Sequence, residues 1–533
     1  MLLAEVAATS DAVAATRSRL AKRAAIADLL RRTADGGAAA DVADDLEIVV
    51  AYLAGALRQR RTGLGYAALR DLPPSASEAT LTVRDVDAAF AAMAALEGSG
   101  SAQARSTAAG ELFGAATERE QAFLRGLVAG ELRQGALDSV VVDAIAEAAG
   151  VPADAVRRAV MLRGATGPVA SAALLAEEPL AALAGFTLEV GRPVRPMLAQ
   201  SAPDIATAFE KLGGDEPTEL CVDVKLDGIR IQVHRLGNEV RVVTRSLDDI
   251  TERVPEIVDV VRALPSDRLV LDGEALGVGP DGVPRPFQET ASRSATREQG
   301  RGSARGAGRA ASAEEALADQ FQLTPFFFDV LHADGRDLLD APLRERLAVL
   351  DEVAAPHTVR RLLTSDADEA AEFFAGALRE GQEGVVIKSL DTPYAAGRRG
   401  AGWVKVKPRK TLDLVVLAVE RGSGRRQGWL SNIHLGARNP EGGFVMLGKT
   451  FKGMTDEMLQ WQTERFRELE VEDNGWVVTV RPEQVVEIAF DGLQRSTRYP
   501  GGLALRFARV LRYRDDKTAA EADTIDTVRS LAV

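Results

Sequence analysis

The segment Asp223-Val224-Lys225-Leu226-Asp227-Gly228-Ile229-Arg230 sets a primary amine between carboxylates and near a guanidinium. A lysine at the end of a strand can be presented into a pocket, where its amine attacks an electrophile and forms a covalent intermediate. Attack requires the ammonium to lose a proton, which desolvation and nearby cations favour. Arg230, Lys405 and Lys407 are candidates for those cations. Taken alone, K-x-D-G-x-R is also an ordinary exposed turn. It keeps ordered company, however: Leu271-Asp272-Gly273-Glu274-Ala275, then Phe328-Asp329, then Glu383-Gly384-Val385-Val386-Ile387-Lys388, then Trp403-Val404-Lys405-Val406-Lys407. Each piece has a bland reading. Glu274 reads equally as a solvated strand residue, and Lys405 and Lys407 as one exposed face.

Two kinds of pattern must position these residues. To about residue 185 apolar residues recur at three- and four-residue spacing, which predicts helices over Asp11–Arg32, Asp45–Arg58, Val86–Leu96, Glu118–Arg133 and Ser139–Ala149. Near Thr187 the pattern changes to β-runs bounded by turn residues: Glu219–Lys225, Ile229–Arg235, Glu239–Thr244 and Leu269–Leu276. Leu236-Gly237-Asn238 predicts a hairpin turn. Helices are expected at Glu252–Leu264, Pro342–Val353 and Asp368–Glu380. Ser292 to Ser312, rich in Gly, Ala, Ser and Arg, reads as a mobile surface loop, either a tolerated insertion or a basic DNA-touching segment. After Thr411, strands at Leu414–Val419, Ser431–Arg438, Phe444–Lys449, Gly475–Val480 and Val485–Phe490, with one helix at Asp456–Leu469, suit a small OB-type β-barrel.

The ordered motifs resemble those of the covalent nucleotidyltransferase superfamily of ligases and capping enzymes, and within it the ATP-dependent DNA ligases of the bacterial three-domain type. Arg192-Pro-Val-Arg-Pro-Met-Leu-Ala199 resembles the family's lead-in to its catalytic domain. Asp334-Gly-Arg-Asp-Leu338 with Pro342-Leu-Arg-Glu-Arg346 resembles the stretch that follows Phe-Asp. Gly502-Leu-Ala-Leu-Arg-Phe-Ala-Arg509 with Arg514-Asp-Asp-Lys517 resembles its C-terminal motif. The likeness is firm from about Arg192 to Lys517 and patchier in the helical part, as at Phe123 to Arg133. Two departures stand out: Asp223 where the family commonly has Glu, and Ala508 where it usually has Pro.

The resemblance implies a multi-domain fold. Residues 1–188 would be an all-α DNA-binding domain, 189–409 an α+β nucleotidyltransferase domain (ATP-grasp-like), and 410–533 an OB-fold β-barrel. It implies an enzyme that seals nicks in duplex DNA, in repair, replication or recombination. Lys225 would take AMP from ATP, pass it to the 5′-phosphate of the nick, and the 3′-hydroxyl would displace it. Phe328 would stack on one adenine face with Val386 near the other, and Asp223 would meet the adenine edge. Glu274 would accept from the ribose or help bind metal, and Glu383 would bind Mg²⁺. Arg230 and Arg245 would hold phosphates, with Lys405 and Lys407 on the α-phosphate. Arg506, Asp515 and Lys517 would orient the pyrophosphate, which requires the barrel to close and later swing away on a hinge at Pro408 to Asp413. The resemblance further implies ATP and Mg²⁺ as cofactors, nicked double-stranded DNA as partner, and a monomer. An RNA ligase, a GTP-using capping enzyme and a non-catalytic DNA-binding scaffold are the alternatives.

Composition narrows the classes. At 533 residues the chain exceeds a single core. A net charge of −13 argues against a bulk electrostatic nucleic-acid binder, so any grip on DNA must be local. A single cysteine, Cys221, rules out an internal disulfide and a Cys-based zinc finger and fits a reducing cytoplasm, as nucleoid-associated work would require. No apolar run reaches membrane-span length, and Met1 to Val13 lacks the basic start of a secretory signal. His234, His332, His357 and His434 are scattered and read as structural.

Overall fold

A computed structural model describes residues 1–37, 39–59, 62–65, 69, 71–132, 138–214, 218–279, 284–285, 287–295, 322–396, 402–422 and 426–531. The chain divides into two compact units. Unit 1 comprises Met1–Gln200, Gly228–Arg360 and Lys388–Trp403; unit 2 comprises Ser201–Asp227, Arg361–Ile387 and Val404–Val533.

Unit 1 begins with helices from Leu3–Ala15 to Pro179–Ala184 around a core that includes Leu3, Ile26, Tyr52, Phe90 and Phe113. Capping boxes at Thr82/Asp85 and Thr117/Glu120 start two of them, each satisfying backbone N–H groups that a helix end leaves bare. The helix expected over Asp11–Arg32 is two, Leu3–Ala15 and Arg19–Ala34. Ser18 breaks it: its hydroxyl accepts from the Ala21 N–H, offering the backbone a cap where continuation was expected. The helix expected over Glu118–Arg133 ends at Val128.

The strands of the middle region are β1 (Gln200–Ala202), β2 (Leu220–Lys225), β3 (Ile229–Leu236), β4 (Glu239–Thr244), β5 (Arg268–Val278), β6 (Gln322–Ala333), β7 (Arg336–Asp337), β8 (Arg361–Thr364), β9 (Gly384–Ser389) and β10 (Trp403–Val406). Unit 1 holds an antiparallel sheet in the order β4-β3-β5-β6-β7. Its β3–β4 hairpin turns on Gly237-Asn238, with Gly237 at φ 59° as a two-residue hairpin turn demands. Register puts Arg230 opposite Glu274 and Asp272 opposite Asp329.

The lead-in segment is pinned to this unit by side chains. Gln232 accepts from the Val194 N–H at 2.8 Å and donates to the Val194 carbonyl at 3.1 Å. His234 Nδ1 accepts from the Gly191 N–H, and burial, reinforced by Arg241, pushes this imidazole down to about 3, so it stays neutral and structural. Arg195 donates to Thr166 and to Asp138 among the helices. The expected loop from Ser292 is helical as far as Ala295, as the last turn of Phe287–Ala295; residues 296–321 lie outside the described ones.

The other middle-region sheet runs β1-β10-β9-β2-β8, and the chain passes between the units within β9 and within β10. In unit 2, Ile205–Gly213 and Ala367–Arg379 cover this sheet around Leu220, Val222, Val385, Val404 and Val406.

Beyond it come β11 (Lys410–Arg421), β12 (Leu430–Arg438), β13 (Phe444–Thr450), β14 (Glu470–Asp473), β15 (Val477–Val480), β16 (Val485–Phe490), β17 (Gly492–Arg495), β18 (Leu503–Arg506) and β19 (Arg509–Tyr513), with the helix Asp456–Glu468. The long strand β11 pairs β12 along one side and β16 and β15 along the other; β17 and β18 form a separate hairpin. β11 starts at Lys410, so Lys410 to Asp413 of the segment expected as a hinge are strand, and only Pro408 and Arg409 connect Lys407 to it. Among the described residues, no helix is long and apolar enough to cross a membrane.

One buried ion pair ties two sequence motifs together. Arg346 donates from Nε and Nη2 to the two oxygens of Asp329 at 2.7 and 3.0 Å, both side chains being 0 % exposed. Its Nη1 donates to the Ala341 and Thr392 carbonyls. Arg346→Met leaves a buried carboxylate unpaired and is expected to cost about 3–5 kcal/mol in urea denaturation. Arg346→Lys should recover only part of it, since one ammonium cannot serve both oxygens and both carbonyls.

Candidate active site

Unit 2 carries the nucleophile candidate. Lys225 ends β2 and Glu383 immediately precedes β9; the two are joined by the Glu383 N–H donating to the Lys225 carbonyl at 3.0 Å and by a short ammonium–carboxylate contact. The other oxygen of Glu383 accepts from Lys407 at 3.3 Å, and Lys407 also donates to Asp491 at 2.6 Å. Burial raises Glu383, but Lys225 and then Lys407 outweigh it and hold the carboxyl below the usual range. Burial likewise works against the Lys407 ammonium, and Asp491 and Glu383 overcome it, so this group titrates above an ordinary lysine.

The glycine after Glu383 is required by space. At φ 149°, Gly384 brings its backbone so close to β10 that a Cβ would stand 2.3 Å from the Val406 carbonyl oxygen. That approach brings Lys407, just after β10, to Glu383, just before β9. Lys405 lies half-buried on β10, and Val386 on β9. Asp223 is buried in β2, beside Cys221 and 3.9 Å from Arg361 on β8.

The C-terminal motif divides. Arg506, on β18, donates to Asp227 at 3.0 Å, two residues past the candidate nucleophile. Lys517 instead donates to Asp413 at 2.6 Å, and Arg514 pairs with the same carboxylate. Asp515 accepts from Gln484. Lys517 and Asp515 thus line a cavity of about 310 Å³ with Trp461, Arg465 and Gln484.

Unit 1 carries an aromatic and cationic cluster. Arg230 meets Asp272 through two bonds at 3.0 and 2.7 Å, and the Tyr394 hydroxyl donates to the same carboxylate at 2.7 Å. Burial opposes the guanidinium charge, and Asp272 outweighs it. Arg230 also lies over the rings of Phe328 and Trp403, 5.4 and 5.7 Å from their centroids. Lys388, 1 % exposed, sits 4.8 and 4.4 Å from the same rings and donates to the Phe328 carbonyl at 3.1 Å. Phe328 and Trp403 meet edge to face at 5.9 Å. Glu274 is half-buried on β5, whereas Arg245 is exposed after β4. Gly228 opens this unit's chain where a Cβ would meet the Ala275 carbonyl oxygen at 2.3 Å, which accounts for glycine after Asp227. A separate cleft of about 1270 Å³ beside the β3–β4 hairpin, lined by Arg241, Arg253 and Arg262 among others, contains none of the expected site residues.

Three family models match the chain: DNA ligase N terminus over residues 66–146, ATP dependent DNA ligase domain over 196–407, and ATP dependent DNA ligase C terminal region over 426–517. A Beutenbergia cavernae protein named Probable DNA ligase is 74 % identical over 100 % of both chains. The chain belongs to the ATP-dependent DNA ligase family. A second ligase relative, from Nocardioides sp. and also named Probable DNA ligase, is 63 % identical over 99 % of each chain. A solved structure named Pmar-Lig_PreS3 shares the fold at 20 % identity, with a TM-score of 0.60 over 96 % of this chain and 99 % of its own. The ligase architecture is three-part, with a helical N-terminal region and a β-rich C-terminal region.

Sequence reasoning missed several residues of these two clusters, one in each unit. Asp272 and Tyr394 fix Arg230, Lys388 and Trp403 frame Phe328, and Asp227 and Asp491 receive cations. Asp227, Asp272, Lys388 and Trp403 stood inside recognised motifs; Tyr394 and Asp491 carried no signal beyond their type.

The Glu383 ion pairs have a pH signature. Its native pKa lies below the ordinary value of about 4.3, so the ionised form contributes stability in full above that value and loses it as pH falls through the lowered native one. The stability gap between wild type and Glu383→Gln in urea melts is expected to be constant above the ordinary carboxylate value and to narrow as pH falls through the lowered native one. A gap that ignores pH would mean that the carboxylate charge contributes nothing.

Proposed function

We propose that the protein seals nicks between a 3′-hydroxyl and a 5′-phosphate in duplex DNA by way of a lysyl-AMP intermediate. The observation that carries this reading is the grouping of Lys225, Glu383 and Lys407, with Arg506 on Asp227: a nucleophile, a carboxylate, and two cations suited to phosphate. In the first step Lys225 Nζ forms a bond to the α-phosphorus of ATP and the bond to pyrophosphate breaks. An ammonium held by a carboxylate is no nucleophile, so Glu383 must first let Lys225 go. AMP then passes to the 5′-phosphate, and the 3′-hydroxyl displaces it, forming the phosphodiester.

The other roles follow the family likeness. Phe328 and Val386 take the adenine faces and Asp223 its edge. Arg230 and Arg245 hold phosphates once Arg230 leaves Asp272; Lys405 and Lys407 neutralise the α-phosphate; Arg506 and Lys517 serve the pyrophosphate. No group of three or more His, Cys, Asp or Glu able to hold a metal occurs among the described residues. Mg²⁺ nevertheless fits, because it needs only one or two carboxylates when it arrives on phosphates, and the ionised, hard oxygens of Glu383 supply one; the family likeness also gives Glu274 a part in binding ribose or metal. When bound it would offset phosphate charge. The division at 188 and 409, the OB-type barrel for the C-terminal strands and its closing and opening belong to the same reading, as do the nicked duplex as partner, a monomer, and a cytoplasmic, nucleoid-associated place of work.

Intact-mass measurement after incubation with ATP and Mg²⁺ tests it. Wild type should gain one AMP, Lys225→Ala none, and GTP should leave wild type unchanged. Wild type that stays unmodified even after pyrophosphate has stripped any bound AMP would overturn the reading. Labelling by GTP would point to capping chemistry instead.

A further inference from the structure

Lys407 is held from two sides, and the nearer counter-charge is not the motif carboxylate. Its ammonium stands 2.6 Å from Asp491 Oδ2 and 3.3 Å from Glu383 Oε1. Asp491 also accepts from Arg509 at 3.3 Å. With Lys225 on the second oxygen of Glu383, the side chains form a line of alternating charge: Lys225, Glu383, Lys407, Asp491, Arg509. The first four are largely shielded from solvent, where such pairs are weakened less than at an open surface. Lys407 and Arg509 overcome the effect of burial on Asp491 and hold its carboxyl below the usual range.

The position of Asp491 gives this line a mechanical meaning. β11 begins by pairing Lys410 with Phe490, the residue just before Asp491. Asp491 therefore travels with the β11–β16 ladder, whereas Lys407 extends from β10 and the Glu383 side. Only Pro408 and Arg409 lie between Lys407 and β11. The Lys407–Asp491 pair spans that connector, and a rotation of the C-terminal strands about it must pull the two charges apart. Arg506–Asp227 spans it too, but Asp491 holds a lysine that also touches Glu383.

Resting on the nick-sealing reading, we propose that Asp491 is a positioning residue that holds Lys407 in place beside Glu383 while the C-terminal region is docked for the first step and lets it go when that region swings out. Docked, Asp491 shares Lys407 with Glu383 and so limits how tightly Glu383 is held. Without its charge, Lys407 falls wholly to Glu383 and the docked arrangement loses a brace. Steps that need docking slow, while steps that need release do not.

The test uses the full chain with Asp491→Asn and Asp491→Glu and follows two reactions. One is lysyl-AMP formation from ATP and Mg²⁺; the other is sealing of a synthetic nicked duplex that already carries the 5′-adenylate. Asp491→Asn is expected to slow the first about tenfold and to leave the second within about twofold, with Asp491→Glu recovering most of the loss. Equal slowing of both reactions, no change in either, or failure of Asp491→Glu to recover would overturn the proposal. Wild type inactive in both would overturn the sealing reading itself, and the proposal with it.

Discussion

Glu383 carries two ammonium groups at once, and much of the local backbone is arranged so that it can. A single half-buried carboxylate facing Lys225 and Lys407 is stable only where β2, β9 and β10 approach closely enough to bring both amines to it. Gly384 permits that approach, and the Glu383 N–H bond to the Lys225 carbonyl fixes its register. Any bulkier residue at 384 would move the carboxylate, and with it both lysines. The pairing stores opposite charge where phosphates are expected to bind. A nucleotide then finds cations already gathered, and needs only to replace one anion by another.

The same economy recurs in unit 1, where Asp272 holds Arg230 and Tyr394 together beneath Phe328 and Trp403. In both clusters an anionic residue is surrounded by groups to which the proposed function assigns phosphate or adenine. The net charge of −13 is therefore compatible with a phosphate-handling surface, because the relevant cations are local and already partnered.

Much of this was legible in the residues. The hairpin at Gly237-Asn238, the strands from Leu220 to Val278 and the helices flanking them follow from periodicity and turn chemistry, and the structure holds them within a few residues. Motif order identified Lys225, Glu383 and Lys407, which stand together. Other features were hidden for physical reasons. Ser18 ends a helix through one side-chain bond that no apolar pattern reveals. The strands β14, β17, β18 and β19 are short, with three or four exposed or half-buried residues apiece, so their alternation barely registers. Asp491 and Tyr394 act through partners far away in sequence, and such pairings belong to the fold. The tyrosine meets Asp272, 122 residues earlier, and the aspartate meets Lys407, 84 residues earlier.

The chain crosses between its two compact units at residues 200, 227, 360, 387 and 403. Neither unit is a continuous stretch, and the last segment assigned to unit 1 is Lys388–Trp403. During synthesis the helices and the sheet of unit 1 emerge long before the indole that meets Phe328 and Tyr394. A ribosome that stalls short of residue 403 therefore presents an aromatic cluster lacking its central ring. If Phe328 holds adenine as proposed, products that stop short of residue 403 would hold it poorly however well their helices have formed, which ties nucleotide capture to the arrival of Trp403.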